Sequence, residues 1–389
     1  MNVLIFSGDY WPDSGGIAAH VRQVSRALAR REVRVTVVGG HVLPLPLGPA
    51  RQTPSSPNLR VIAIRRTGPR GVRLVWFLVR AYWQLRGMAS QEWDVVHFHN
   101  FVPDGLLLGL RRWPKAKGRI LTNHSDILLR AVDQGRSLAF FRLLSRSVDG
   151  VIAPSRELEA KSRLILRDDQ LSTYIPNGVD VDLFTPGDVD QEALRGLGVD
   201  RTAKVVLAVR RHDPKCGLDL LMRAVPAVAS AHPEVRICLI GDGPETSTLK
   251  NLAADLGVEG WVRFVGYVQH DRLPPFYRSA SLSVLPSVYE AVSLSGLESL
   301  ACATPVVGTS VGGIPEFVKH GQTGLLVEPG SPAGLADAIN DLLDRPDLRG
   351  TMGIEGRRVV MADFSWDRVA SDTLDFYRQV LESRDTGAG

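Results

Sequence analysis

Residues Ser287–Val327 read SVYEAVSLSGLESLACATPVVGTSVGGIPEFVKHGQTGLLV. Two carboxylates, Glu290 and Glu298, stand eight residues apart with small residues between them. Leu294, Leu297, Leu300 and Ala301 carry helical spacing, which predicts a short helix beginning near Ser293 with Glu298 on its second turn. Glu290 then falls in the loop before that helix, near its backbone N–H groups and the positive end of its dipole. Free amides at such an end attract phosphate. Two readings fit: a sugar-nucleotide site, or a surface helix with solvated glutamates.

The segments around this stretch set the fold class. Pro305–Thr309 and Leu325–Val327 read as buried strands, and Lys204–Val209, Val235–Ile240, Val262–Val265 and Leu282–Leu285 form a strand series before them. A helix is expected near Leu218–Ser230. The start of the chain repeats the scheme. Asn2–Ser7 reads as a strand, Ile17, Val21, Val24 and Leu28 as one face of a helix, and Val33–Val38 as a strand, which is a βαβ unit. Asp94–His97, Ile120–Thr122, Val151–Pro154 and Thr173–Ile175 continue that first sheet. Two successive βα series predict two doubly wound α/β domains facing one another. Turn chemistry at Pro176–Asp180 through Pro186-Gly187 places the connection, giving domains at 1–186 and 187–365. Helices near Ala333–Leu343 and Trp366–Leu381 close the chain, and 366–389 is the segment able to return to the first domain.

Length and composition agree. A chain of 389 residues, 44% hydrophobic and 23% charged, is expected to fold as two globular domains. Cys216, Cys238 and Cys302 form no close pair and leave one over, which points away from disulfide and zinc frameworks and toward a reducing cytosol. The N-terminus enters a strand without a basic start or cleavage site. The longest strongly apolar run, Leu74–Val79, stops at Arg80 and is too short to span a bilayer.

Charge is unevenly divided. Residues 1–186 hold 26 Lys+Arg against 15 Asp+Glu, a net +11, whereas the remainder holds 20 against 27, a net −7. No helix-turn-helix, zinc-finger or RRM signature supports nucleic acid as the partner of the basic half. An anionic membrane surface or anionic acceptor is the other partner class. The Arg70–Arg86 stretch, rich in Trp, Leu and Arg, is a helix with two readings. It lies on a membrane surface, or it faces the core while its arginine stems snorkel. Arg111, Arg112, Lys115, Lys117 and Arg119 form a second basic cluster.

Candidate site residues fall at strand ends, where open parallel sheets bind ligands. His124 follows one strand; Arg210, Arg211 and Lys215 follow another. An arginine fork and a lysine point charge there suit a pyrophosphate, and a solvated basic turn is the alternative. Gly15-Gly16 allows close backbone approach to a ligand or simply makes a tight turn. The stretch lacks Gly-x-Gly-x-x-Gly, so a nicotinamide cofactor is not indicated.

Together these segments resemble family 4 of the retaining nucleotide-sugar glycosyltransferases, of GT-B architecture. The resemblance is carried by Gly15-Gly16, Asp94–His97, Thr122-Asn123-His124, Ile175–Asp180, Arg211 to Gly217, Gly241–Pro244 and Phe264–Gly266. Its densest part is Glu290, Glu298, Pro305–Val307, Gly312–Glu316 and Thr323-Gly324. It implies a donor that is a UDP-, GDP- or ADP-linked sugar, no metal or other cofactor, and a glycan, lipid-linked or small-molecule acceptor. Glu298 would hold the ribose, Glu290 the donor sugar, and Arg211 and Lys215 the diphosphate. Amides near Ser293 and Leu294 would join them, with Gly241 nearby and Gly266, Tyr267 and Val268 beside the base. Gly16 would let its loop approach the donor, and His124 would contact the sugar at the reaction centre.

Spacing to Gly217 favours Arg211 over Arg210 for the phosphate. Three departures from the family pattern stand out: Lys215 comes one place early, Ser293 replaces a usual glycine, and Ala303 replaces the glycine that usually ends the helix. Rival activities on this architecture are a sugar-nucleotide epimerase and a phosphorylase; a non-catalytic nucleotide-sugar or membrane-surface binder is the rival of another class.

Overall fold

The computed structural model describes residues 1–10, 16–41, 56–66, 69, 72–88, 90–101, 115–124, 126–290 and 293–386. Gly15, Arg111, Arg112 and most of the proline-rich 40–58 segment lie outside these residues. The chain forms two compact units, Met1–Asn177 with Trp366–Gly389, and Gly178–Ser365. The sequence places the division at 186/187. Val179 already belongs to the second unit, because its N–H donates to the Phe364 carbonyl (2.8 Å) and Phe184 is buried in that unit's core.

In the first unit the order is β1 (Asn2–Ser7), α1 (Gly16–Arg30), β2 (Arg34–His41), β3 (Leu59–Arg65), α2 (Arg73–Arg86), β4 (Trp93–His99) and β5 (Ala116–Thr122). Then come α3 (Asp126–Asp133), α4 (Ala139–Ser145), β6 (Gly150–Ala153), α5 (Arg156–Arg163) and β7 (Leu171–Tyr174). The sheet is parallel, in the order β3-β2-β1-β4-β5-β6-β7. Successive side chains of a strand point to opposite faces. Val3 and Ile5 accordingly join α1 residues Val21, Val24 and Leu28 on one face, while Leu4 and Phe6 join Phe77, Leu128 and Phe141 on the other.

The second unit begins with α6 (Gln191–Leu197), β8 (Lys204–Val209), α7 (Leu218–Ala231), β9 (Val235–Ile240), α8 (Thr246–Asp255) and β10 (Val262–Gly266). It continues with α9 (Pro274–Arg278), β11 (Leu282–Leu285), α10 (Leu294–Ala301), β12 (Val306–Thr309), α11 (Ile314–Phe317), β13 (Gly324–Val327), α12 (Pro332–Asp344) and α13 (Pro346–Asp363). Its parallel sheet runs β10-β9-β8-β11-β12-β13. Both units are therefore doubly wound parallel sheets, the Rossmann-like architecture read from the sequence.

The last helix, α14 (Trp366–Thr386), returns to the first unit and packs on α1 and β5. Strand glycines admit it. A Cβ at Gly150 would lie 2.8 Å from the Phe376 ring, and one at Gly118 3.2 Å from Val380. Trp366, Val369, Phe376, Tyr377 and Val380 are buried there.

Candidate active site

In an open doubly wound sheet the crevice forms where the strand order reverses. That point lies between β8 and β11 in the second unit, and between β1 and β4 in the first. Each candidate residue can be placed against these two positions.

Arg210 follows β8 and Glu290 follows β11, so both occupy the switch point of the second unit. The Arg210 Nη2 donates to Glu290 Oε2 in an ion pair, with side chains only 7% and 16% exposed. The Arg210 Nε and Nη1 are buried without a hydrogen-bond partner. Two donors of a buried guanidinium thus remain for an anion, and leaving such donors unmade is costly. Arg211 is exposed. The arginine that meets the carboxylate is the one ranked second from spacing.

The turn after Arg211 is tied to the Glu290 loop through Lys215. Pro214–Cys216 is a single 3-10 turn, and the Lys215 carbonyl accepts from the N–H groups of Val288 (2.9 Å) and Tyr289 (3.2 Å). Lys215 itself is exposed. Two glycines make the loop packing possible. Gly241 (φ +130°) lies where a Cβ would sit 2.0 Å from the Arg210 carbonyl, and Gly312 (φ +53°) where it would sit 1.5 Å from that of Glu290. No L side chain fits either place without moving the loops.

Glu298 stands apart from Glu290. It is buried on α10 and accepts from the Tyr277 hydroxyl (2.9 Å) and from His270 Nε2 (2.7 Å). Burial opposes charge on His270, but the hydrogen bond and charge of Glu298 win and raise the imidazole pKa above its usual value. Burial, reinforced by the Glu298 charge, raises the pKa of the Tyr277 phenol. Neither His270 nor Tyr277 was legible as a site residue, since no motif marks a residue that acts by contact across elements.

Ser293 is the residue before α10, extended and buried, with its Oγ 3.1 Å from that of Ser295 rather than on a backbone amide. Leu294 opens the helix. Gly266 (φ +84°) ends β10, the edge strand on the same side of the switch point as Arg210, and exposed Tyr267 and half-buried Val268 follow it.

The first unit gathers histidines instead. His97 and His99 end β4, His124 follows β5, and His20 sits on α1 behind Gly16, which opens that helix. His124 Nε2 and His99 Nδ1 share a hydrogen bond (3.1 Å), and the His124 N–H donates to Asn100 Oδ1 (2.9 Å). His20 Nδ1 donates to Asn177 Oδ1 (2.8 Å), while His97 contacts the Tyr377 hydroxyl (2.7 Å) and Thr122 Oγ1 (2.6 Å). The His97 and His99 rings stack with centroids 4.4 Å apart, His99 and His124 stack at 5.3 Å, and His20 meets His124 edge-on at 4.6 Å.

Burial pushes every one of these imidazoles toward the neutral form: His20 to about 4, His97 to about 3, and His99 and His124 well below the usual value. Among the described residues, His20, His99 and His124 are the set with nitrogens mutually within 4.8 Å, close enough to share a metal ion. Sequence reasoning gives a role to His124 alone; His97 and His99 are legible as part of the polar cluster ending their strand, and His20 carries no such signal.

The comparisons with known proteins identify the family. Residues 14–183 match the model described as Glycosyltransferase Family 4, and 189–359 the model described as Glycosyl transferases group 1. A D-inositol 3-phosphate glycosyltransferase of Acidothermus cellulolyticus is 32% identical, over 97% of this chain and 88% of its own. A GDP-mannose-dependent alpha-(1-6)-phosphatidylinositol monomannoside mannosyltransferase of Mycobacterium tuberculosis is 34% identical over 53% of this chain and 55% of its own. Among solved structures, a sucrose-phosphate synthase of Thermosynechococcus elongatus superposes with a TM-score of 0.82 at 26% identity, covering 98% of this chain and 99% of that one. Among the described residues no helix is long and apolar enough to cross a membrane. The chain belongs to glycosyltransferase family 4, with the GT-B fold, and is an enzyme that transfers a sugar from a nucleotide-sugar donor.

Proposed function

We propose that the second unit holds the nucleotide diphosphate sugar and that a hexosyl group leaves it with retained configuration for a hydroxyl acceptor served by the first unit. The observation that carries this reading is the Arg210–Glu290 pair at the switch point, with two buried guanidinium donors still unpartnered. Arg210, with Lys215 and exposed Arg211 beside it, neutralises the diphosphate. Negative charge grows on that group as the glycosidic bond breaks, and preorganised cations stabilise it more than they stabilise the ground state. Amides at Ser293 and Leu294 add the field of a helix start. Glu290 takes a sugar hydroxyl, and Glu298, fixed by Tyr277 and His270, takes the ribose. Gly241 and Gly266–Val268 border the base. His124, kept neutral by burial, hydrogen-bonds the sugar, and the departing phosphate accepts the acceptor proton.

The same proposal places the enzyme in the cytoplasm, peripheral on the inner membrane face, with a lipid-linked acceptor. Support comes from the exposed tryptophans of α2 and from the Mycobacterium tuberculosis relative, whose name records a phosphatidylinositol monomannoside.

A hydrolysis screen without acceptor, over UDP-, GDP- and ADP-sugars, tests the donor reading. One nucleotide is expected to be released well ahead of the others, and NMR of the hexose released to water, read before it mutarotates, is expected to show the donor's anomeric configuration. No release from any donor, together with no nucleoside diphosphate binding by calorimetry, would overturn it.

A further inference from the structure

Helix α2 carries two apolar faces, and a helix that only served the core would carry one. At ~100° per residue, Phe77, Ala81 and Leu85 fall on one side of the axis. All three are buried against the sheet. Val75, Trp76, Val79 and Trp83 fall on the opposite side and are exposed, Trp76 by 52% and Trp83 by 64%. The core-facing alternative for this helix therefore accounts for half of its apolar residues. Tryptophan is the side chain enriched where one end of a residue is in hydrocarbon and the other in water.

The segment that holds that stripe is basic in sequence, and of its arginines Arg66 pairs with Asp9 from outside it (2.8 Å). From Val33 to Gln91 the sequence contains nine arginines and not one aspartate or glutamate. Two of those arginines, Arg65 at the end of edge strand β3 and Arg80 on α2, line an open groove of about 410 Å³ together with Trp83 and Gln84. Both are exposed and neither forms an ion pair among the described residues. An uncompensated pair of guanidinium groups recognises phosphate through forked hydrogen bonds. An indole beside them supplies an apolar floor.

We propose that this face of α2 docks on an anionic lipid bilayer, with Trp76 and Trp83 entering the interface and Arg65 and Arg80 clamping a lipid phosphate in the groove. The inference rests on the membrane-contact reading above and names where that contact is made. A bilayer is the occupant because the surface joins an exposed apolar stripe to unbalanced positive charge along one helix. An amphipathic helix lies in an anionic interface by that combination. A soluble phosphate would use the arginines but leave both tryptophans in water.

The test is co-sedimentation of the full chain with vesicles of phosphatidylcholine alone or mixed equally with phosphatidylglycerol. Binding is expected to the mixed vesicles, to fall steeply with added salt, and to be weak to the neutral ones. Each of Arg65→Gln and Arg80→Gln is expected to weaken it roughly fivefold, the size usual for one basic residue at an anionic surface. Trp76→Ser with Trp83→Ser is expected to weaken it at least tenfold. Donor hydrolysis, read in the same preparations, reports the second unit and the fold. Lost vesicle binding with hydrolysis intact supports the proposal.

Equal binding to both vesicle types, wild-type binding by the variants, or no vesicle binding by a protein that hydrolyses its donor would overturn the proposal and leave the donor reading standing. Self-association in solution that the tryptophan substitutions abolish would also overturn it, by assigning the face to a second copy. Failure of donor hydrolysis with vesicle binding intact would instead count against the donor reading alone.

Discussion

The two sheets are wound alike, yet their switch points carry opposite chemistry. The second unit places a buried ion pair there, Arg210 with Glu290. The first places four imidazoles, three buried and His124 half-buried, all held neutral in a stack tied to Asn177, Tyr377 and Thr122. A fold supplies the location of a site, and the side chains at strand ends supply its function. Charge suits a diphosphate that becomes more negative during reaction. Neutral imidazoles can donate to and accept from hydroxyl groups without the desolvation cost of a buried charge.

The strongest way to break this contrast is Arg210→Gln. Transfer is expected to fall by about 10²–10³-fold or more, the scale seen when one preorganised donor to a developing anion is removed. A steady-state assay alongside circular dichroism would read it. Activity within tenfold of wild type would move the charge-bearing role to Lys215 or Arg211.

Glu298→Gln comes next. The amide oxygen still accepts from Tyr277, so the buried hydroxyl keeps its partner and stability changes little. Donor KM is expected to rise roughly tenfold through loss of a charge-assisted bond to ribose. An unchanged KM would confine Glu298 to holding His270 and Tyr277 in place.

Acid should separate the units. The unfolded chain protonates histidine below about pH 6.5, whereas His20 and His97 in the folded chain wait until about 4 and about 3. The unfolded state therefore binds more protons in that window. The contribution to stability is complete above pH 6.5 and is lost progressively as pH falls toward 4. His270 in the second unit has the opposite sign, its pKa raised by Glu298 against the effect of burial, and its half-exposed ring makes the effect small. Thermal unfolding followed between pH 7 and 5 is expected to show a melting temperature lower by several degrees, with the first unit melting earlier. A pH-independent melt would contradict the neutral stack.

Much of this organisation is legible in the sequence, and the failures have physical causes. Strands β1, β8, β9 and β11 coincide with their apolar runs, because parallel strands buried on both faces read as continuous hydrophobic segments. Strand β3 escapes that signal. It lies at the sheet edge with Arg60, Ala63 and Arg65 exposed, so only part of it is core. The different settings of Arg210, paired with Glu290, and exposed Arg211 have a related cause, since a shift of one residue at a strand end reverses the face a side chain meets. Spacing to a distant glycine carries no such information. The partners of Glu298 come from two other elements and leave no local trace.

Ala303 shows the opposite case. Its place after α10 calls for a left-handed residue, and its φ is indeed +59°. Ala303→Gly is expected to stabilise the second unit by about 1 kcal/mol through relief of that strain. Denaturant unfolding would read this smallest effect, and a destabilised variant would show that the alanine methyl contributes packing worth more than the strain.

The division of labour between the two switch points is tested most directly by calorimetry with the nucleoside diphosphate that the hydrolysis screen selects. Arg210→Gln is expected to weaken its binding at least tenfold, while His124→Ala leaves it unchanged because the nucleoside diphosphate carries no hexosyl group for His124 to contact. Equal affinity in Arg210→Gln and wild type, or lost affinity in His124→Ala, would contradict the account.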